Sequence, residues 1–137
     1  MSISICLPGN DVGLVSSIVR QADGKIVIGG SFDTVNGVVR SGIARLDSNG
    51  SLDSGFQSGM LGLDSIGSGG SRHDTYVLAV QPDGKILVAG DFTRVNGTTR
   101  TNLARLNDDG SLDLSFQNEG IRLSGSIYSI GLETDIK

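Results

Sequence analysis

The 137-residue chain has no Trp, two Pro, four Phe and a single Cys. Each shortage removes a class of protein. One cysteine can close no disulfide within the chain and build no cysteine-based zinc site. Cys6 sits in the apolar run Ile3–Leu7, where it reads as a small buried hydrophobe. No apolar stretch approaches the roughly 20 residues that a membrane-spanning helix needs. The opening M-S-I-S-I-C-L-P-G-N has no basic leader and too short an apolar run for a signal peptide. The sequence therefore predicts a soluble chain that does not take the general secretory route. Eleven Lys and Arg stand against 15 Asp and Glu, and the cations are scattered. A nucleic-acid binder would gather them on one face. With so few aromatics, any core must come from Val, Ile and Leu.

Glycine, by contrast, is abundant at 21 residues. It follows no Gly-X-Y period, which excludes collagen, and the many β-branched residues argue against disorder. Glycines set between short apolar runs mark tight turns and predict an all-β fold.

The chain repeats itself. Residues 21–57 and 81–117, aligned at a fixed offset of 60 without a gap, share 20 of 37 residues. Each unit divides at its turn signals into four short strands. The first is Leu14–Arg20, or Tyr76–Val80 in the second copy. Asp23-Gly24 and Asp83-Gly84 then read as type I′ hairpin turns. The second strand is Lys25–Phe32 (Lys85–Phe92). A loop with Asn36-Gly37 (Asn96-Gly97) leads to the third, Arg40–Asp47 (Arg100–Asn107). Asn49-Gly50 (Asp109-Gly110) turns the chain into a fourth strand near Ser51–Phe56 (Ser111–Phe116). Four antiparallel strands in a unit of this length make a β-propeller blade. In the second strand Ile26, Ile28, Gly30 and Phe32 face one way and Val27, Gly29 and Ser31 the other. Both faces are apolar or small, as a sheet needs when neighbours cover both its sides.

The organisation that follows is an N-terminal strand and lead-in (1–13), a first unit (14–57), an inter-unit loop (58–74), a second unit (75–117) and a partial third (118–137). Phe56 to Val77 is ten positions longer than Phe116 to Ile127, and the excess lies within residues 58–74. That segment reads either as a connector or as a partner-binding loop.

The runs Q-P-D-G-K-I-L-V-A-G-D-F, V-N-G and L-A-R-L-N-D-D-G-S-L-D-L-S-F resemble the delta-60 repeat, over residues 14–57 and 76–117. The resemblance implies a propeller repeat of bacterial surface, secreted and phage proteins, and implies no general biochemical activity. The third unit, I-Y-S-I-G-L-E-T-D-I-K, stops where the Asp-Gly-Lys turn is due.

No catalytic, cofactor-binding or metal-binding constellation stands out, and the chain reads as a non-enzyme. Asp47–Asp53 and Asn107–Asp113 have the look of calcium loops, but Arg45 and Arg105 stand where a further acidic ligand is needed. Arg40, Arg45, Arg100 and Arg105 recur at equal unit positions and predict register-fixing pairs with Asp53 or Asp113. The lone His73 has no nucleophile partner in any motif. Phe32, Phe56, Phe92 and Phe116 form two repeat-equivalent pairs and read as core. Only Tyr76 and Tyr128 remain to stack on a sugar. The leading expectation is a structural or assembly module, a virion component or surface scaffold. A carbohydrate-binding propeller is the alternative, with a glycan as its partner. Two isolated units would expose Ile86, Val88 and Phe92 on one side and Leu87 and Ala89 on the other. This predicts a homo-oligomer, preferably a trimer, or docking on a larger assembly. The N-terminal strand Ser2–Leu7 and Gly125–Lys137 would pair across the junction between copies.

Overall fold

Alternating apolar residues between turn signals form the first, second and third long strands of each unit. The computed structural model describes residues 4–6, 13–64 and 74–116, and among these there are strands and turns but no helix. The strands in chain order are β1 (Ile5–Cys6), β2 (Leu14–Arg20), β3 (Ile26–Ser31), β4 (Thr34–Val35), β5 (Val38–Val39) and β6 (Ile43–Leu46). The second half has β7 (Leu63–Asp64), β8 (Asp74–Val80), β9 (Ile86–Asp91), β10 (Arg94–Val95), β11 (Thr98–Thr99) and β12 (Leu103–Leu106). Each unit is built on one three-stranded antiparallel sheet, β2-β3-β6 in the first and β8-β9-β12 in the second.

The fourth strand is not a strand. It shrinks to one bridge, Leu46 to Leu52 and Leu106 to Leu112. The Asp53 side chain explains why: its Oδ1 accepts the Gly55 N–H at 3.0 Å, and its carbonyl accepts the Phe56 N–H, so the chain turns away from the ladder. Asp113 does the same through Ser115.

The turns also differ from expectation. At Asp23-Gly24 only the glycine has positive φ, at 90°, and Gly24 N–H bonds back to the Gln21 carbonyl. A type I′ turn requires both central residues in that region. The turn therefore centres on Ala22-Asp23, with Gly24 as the left-handed residue that follows. Asp83-Gly84, Asn49-Gly50 and Asp109-Gly110 repeat the pattern. The two-residue hairpin with both φ positive is instead at Asn36-Gly37 (50° and 79°) and Asn96-Gly97 (49° and 84°), joining β4 to β5 and β10 to β11. The asparagine-glycine loop is thus a hairpin of its own. Gly84→Val tests the glycine position. A side chain there meets nothing within 4 Å, so only the backbone at φ 89° resists it. Chemical denaturation should show a loss of about 1 kcal/mol; an unchanged midpoint would contradict the assignment.

Both small hairpins gain a third strand from further back in the chain. β1 pairs with β4 of the same chain, Ile5 with Val35 and Cys6 with Thr34. β7 pairs with β10, and the fork of Arg94 grips Asp64 with Nε to Oδ1 at 2.8 Å and Nη2 to Oδ2 at 2.6 Å. The expected loop 58–74 therefore contains a strand, and its Leu63 is fully buried. Residues 65–73 and the third unit from 117 onward lie outside the described residues, as do His73 and Tyr128.

The main core crosses from one unit to the other. Val27, Ile43, Phe56 and Leu63 pack with Leu78, Ile86, Val88, Phe92, Val95, Ala104 and Leu106. Strand β8 lies against β2 and β3, and the Leu78 N–H bonds Ser17 Oγ at 3.1 Å. Ile86, Val88 and Phe92 are accordingly buried, not exposed, because the first unit covers them. Leu87 and Ala89 are buried as well. A second cluster on the other face of β3 holds Ile28, Phe32, Val35, Ala44 and Leu46. Three of the four phenylalanines are core; Phe116 is only half-buried.

Candidate functional site

Arg45 stands on β6 opposite Val27, one strand step before the bridge at Leu46. That register puts Asp53 beside it: the Asp53 N–H bonds the Arg45 carbonyl, and Arg45 Nε reaches Asp53 Oδ2 at 2.7 Å. Lys25 Nζ approaches the same oxygen at 2.9 Å. The guanidinium lies over the Phe56 ring, 4.9 Å from its centre, a cation–π contact in a nearly closed environment. The second unit repeats this as Arg105 with Asp113 at 2.8 Å, Lys85 at 3.3 Å, and the Phe116 ring at 4.8 Å. The register-fixing pairs expected for Arg45 and Arg105 are thus formed. Arg40 and Arg100 do otherwise. Each donates Nη1 to the carbonyl just before it, Val39 or Thr99, and neither Nε has a hydrogen-bond partner among the described residues.

These contacts shape the acid response. Burial alone would raise the Asp53 pKa, but Lys25, the Gly55 N–H and Arg45 overcome it and hold it at about 2, against an ordinary 3.8. The Ser115 hydroxyl, ahead of any cation, lowers Asp113, and the Ser111 hydroxyl and N–H lower Asp109 in the same way. A depressed carboxylate pKa contributes stability above its unfolded value and loses it as pH falls through the folded one. Urea unfolding should therefore be insensitive to pH above about 5 and weaken steeply from about 4 toward 2. A flat profile down to pH 2.5 would be inconsistent with these pairs, on the same approximate scale.

The far side of Arg45 joins the units. Its Nη1 donates to the Asp108 carbonyl, to Asp108 Oδ1 at 3.2 Å and to Gln21 Oε1 at 3.4 Å. Gln57, a non-glycine residue at φ 61°, is buried against the same turn. Its backbone N–H bonds the Asp109 carbonyl at 2.9 Å and its side-chain amide bonds the Gly110 carbonyl. Asn96 completes the joint, donating to the Gly110 carbonyl at 3.2 Å and accepting the Gly62 N–H at 2.8 Å. Asn36 grips Ser4 in the same way in the first unit. Gln57, Asn96 and Asp108 were not foreseen as contact residues. Their one sequence signal was that Gln57 and Asn96 each have an identical copy sixty residues away.

Beside the joint lies an open cleft of about 280 Å³ between the Gln21–Gly24 and Gln81–Gly84 turns, with Asp108 at its edge. Asp23 Oδ1 and Asp83 Oδ1 accept the Lys25 and Lys85 N–H groups, each at 3.0 Å. Gln81 Oε1 is buried with no hydrogen-bond partner among the described residues. The suspected calcium loops use their oxygens internally: Asn49 Oδ1 holds Ser51, Asp109 Oδ1 holds Ser111, and Asp53 and Asp113 serve the cations. Among the described residues no group of three His, Cys, Asp or Glu is placed to hold a metal ion.

The same segments that build each unit, residues 21–56 and 81–116, match the family described as a domain of unknown function (DUF5122) beta-propeller. Together they make up more than half of the chain. The chain belongs to this propeller family. The matched residues include Arg45, Asp53, Phe56 and their copies, so the ion-paired joint lies inside the propeller repeat. No curated protein and no solved structure matches this propeller chain.

Proposed function

We propose that this chain is a non-enzymatic assembly module, made of two propeller blades and a partial third, that completes its ring by association of copies. The observation that carries the reading is the joint between units. A continuous apolar core and the Arg45–Asp108 and Gln57–Gly110 contacts bind one unit to the next. These contacts support stacking of units as the use to which the repeated residues are put. Propellers close with roughly 4 to 8 blades, and three copies with two blades each fall within that range. A trimer is therefore preferred over a dimer or over docking on a foreign assembly. The resemblance to repeats of surface and phage proteins suits a scaffold on a cell surface or in a virion. Light scattering on the purified chain should give three times the 14.2 kDa mass. A well-folded monomer at micromolar concentration would overturn the reading.

A second reading, carbohydrate binding, draws on the cleft between the turns. Its amide and carboxylate oxygens suit a polyhydroxy ligand, although no described aromatic lines it. A glycan array with no bound sugar would remove it.

A further inference from the structure

Resting on that assembly reading, we infer that a second copy of the chain docks its Asp47–Gly50 turn against Arg105 and Phe116, repeating between copies the joint that Arg45 and Phe56 make within one. The two arginines have the same near side, with a carboxylate on Nε and a phenylalanine ring beneath. Their far sides differ. Arg45 reaches across to Asp108 and its side chain is 7% exposed; among the described residues the far side of Arg105 meets Ser115 Oγ, at 3.4 Å, and its side chain is 22% exposed. Phe56 is fully buried where Phe116 is half-buried. One half of a joint is thus present on the second unit and incompletely filled.

The complementary half is present on the first unit. The turn that feeds Arg45 is Asn107-Asp108-Asp109-Gly110, and its copy is Asp47-Ser48-Asn49-Gly50. Both turns are closed by the same pair of bonds, from the first residue's N–H to the serine carbonyl beyond the turn and from the glycine N–H back to the first carbonyl. Ser48 is exposed, and its carbonyl stands where Asp108 offers one to Arg45. On the same unit Ile18 of β2 is 65% exposed, whereas Leu78, at the matching place on β8, is 5% exposed because a neighbouring unit covers it. The open apolar strand and the open turn belong to one edge, and the internal joint shows what fits against it. Such a head-to-tail contact closes into a ring if its rotation allows, and otherwise extends as a filament.

One difference provides the test. Asp108 adds a carboxylate to its carbonyl, and Ser48 does not. Ser48→Asp should copy the internal joint onto the outer surface and tighten association on the order of tenfold, as a charge-assisted bond at an interface can. Arg105→Lys keeps the charge beside Asp113 but loses the fork, and should weaken association by a similar factor of about ten. Sedimentation velocity over a wide concentration range, on the full chain and both variants, reads these shifts. Association that neither variant alters overturns this interface and leaves the assembly reading standing. Chains that stay monomeric throughout, Ser48→Asp included, overturn the assembly reading and the interface together.

Discussion

Replacing Asp53 by Asn should lower the folding free energy by about 3 kcal/mol, measured by chemical denaturation near neutral pH. The change keeps shape and one oxygen, so packing is hardly disturbed. What goes is the charge that faces two cations. Lys25 can turn to water or to Asp47, 3.9 Å away. Arg45 cannot, because its side chain is almost closed off over Phe56. Removing one partner of a buried pair leaves an uncompensated charge, and this is costlier than never having had the pair. The bond from Arg45 to the Asp108 carbonyl remains, as does its ion pair with the exposed Asp108 carboxylate at 3.2 Å, so the charge is partly compensated and the estimate stands at the low end for such changes. Exchanging both partners, Arg45→Met with Asp53→Leu, should recover much of the loss. A single variant within about 0.5 kcal/mol of the parent would mean the ion pair does not hold the hairpin.

Gly30→Ala should be the most damaging single-methyl change in the first unit. A Cβ at Gly30 would fall 2.0 Å from the Leu14 carbonyl oxygen and 2.9 Å from the Val15 Cα. Both are backbone atoms, and neither can swing aside as a side-chain tip would. The contact is close because β2 carries an irregularity between Val15 and Ser17, directly opposite Gly30. The same irregularity recurs between Thr75 and Val77, opposite Gly90. The methyl must therefore push two paired strands apart, at about 3 kcal/mol. Gly29→Ala is the control. Position 89, its repeat partner, is already a buried alanine, so that change should cost little. Equal losses for the two variants in a thermal or urea melt would refute the steric account.

The sequence carried the repeat, the strand pattern and the Arg45–Asp53 pairing because these depend on residues within one unit. β2 is where alternation and the turn placed it. The misses have local causes of two kinds. The fourth strand ended at Leu52 because the Asp53 carboxylate captured the Gly55 N–H and its carbonyl the Phe56 N–H, a choice that apolar alternation does not record. The Asn36-Gly37 hairpin joins strands of two residues each, too short to show a period. β7 is equally short, and only burial of Leu63 reveals it. The contacts across the joint were beyond pattern reading altogether. Nothing in the spacing of Gln57 or Asp108 states which turn of the neighbouring unit each will meet, and Gln57 meets it through a backbone angle rare for its residue type.

The strand β7 places the repeat of the sequence and the repeat of the structure out of phase. Written as text, a unit begins with its first long strand and closes after its second phenylalanine. As a folded object, the second unit takes Leu63 and Asp64, which precede that strand, to finish the hairpin at Arg94 and Val95, and the first takes Ile5 and Cys6. A segment excised at the textual boundary would abandon the Arg94–Asp64 fork and uncap a hairpin edge; one begun at Gly62 would keep both. Gene duplication in such an array is indifferent to this phase, since cutting anywhere in one period and pasting at the same place in the next restores every overlap. Lengthening the array by whole periods therefore creates no new loose edge, whichever residue the breakpoint falls on.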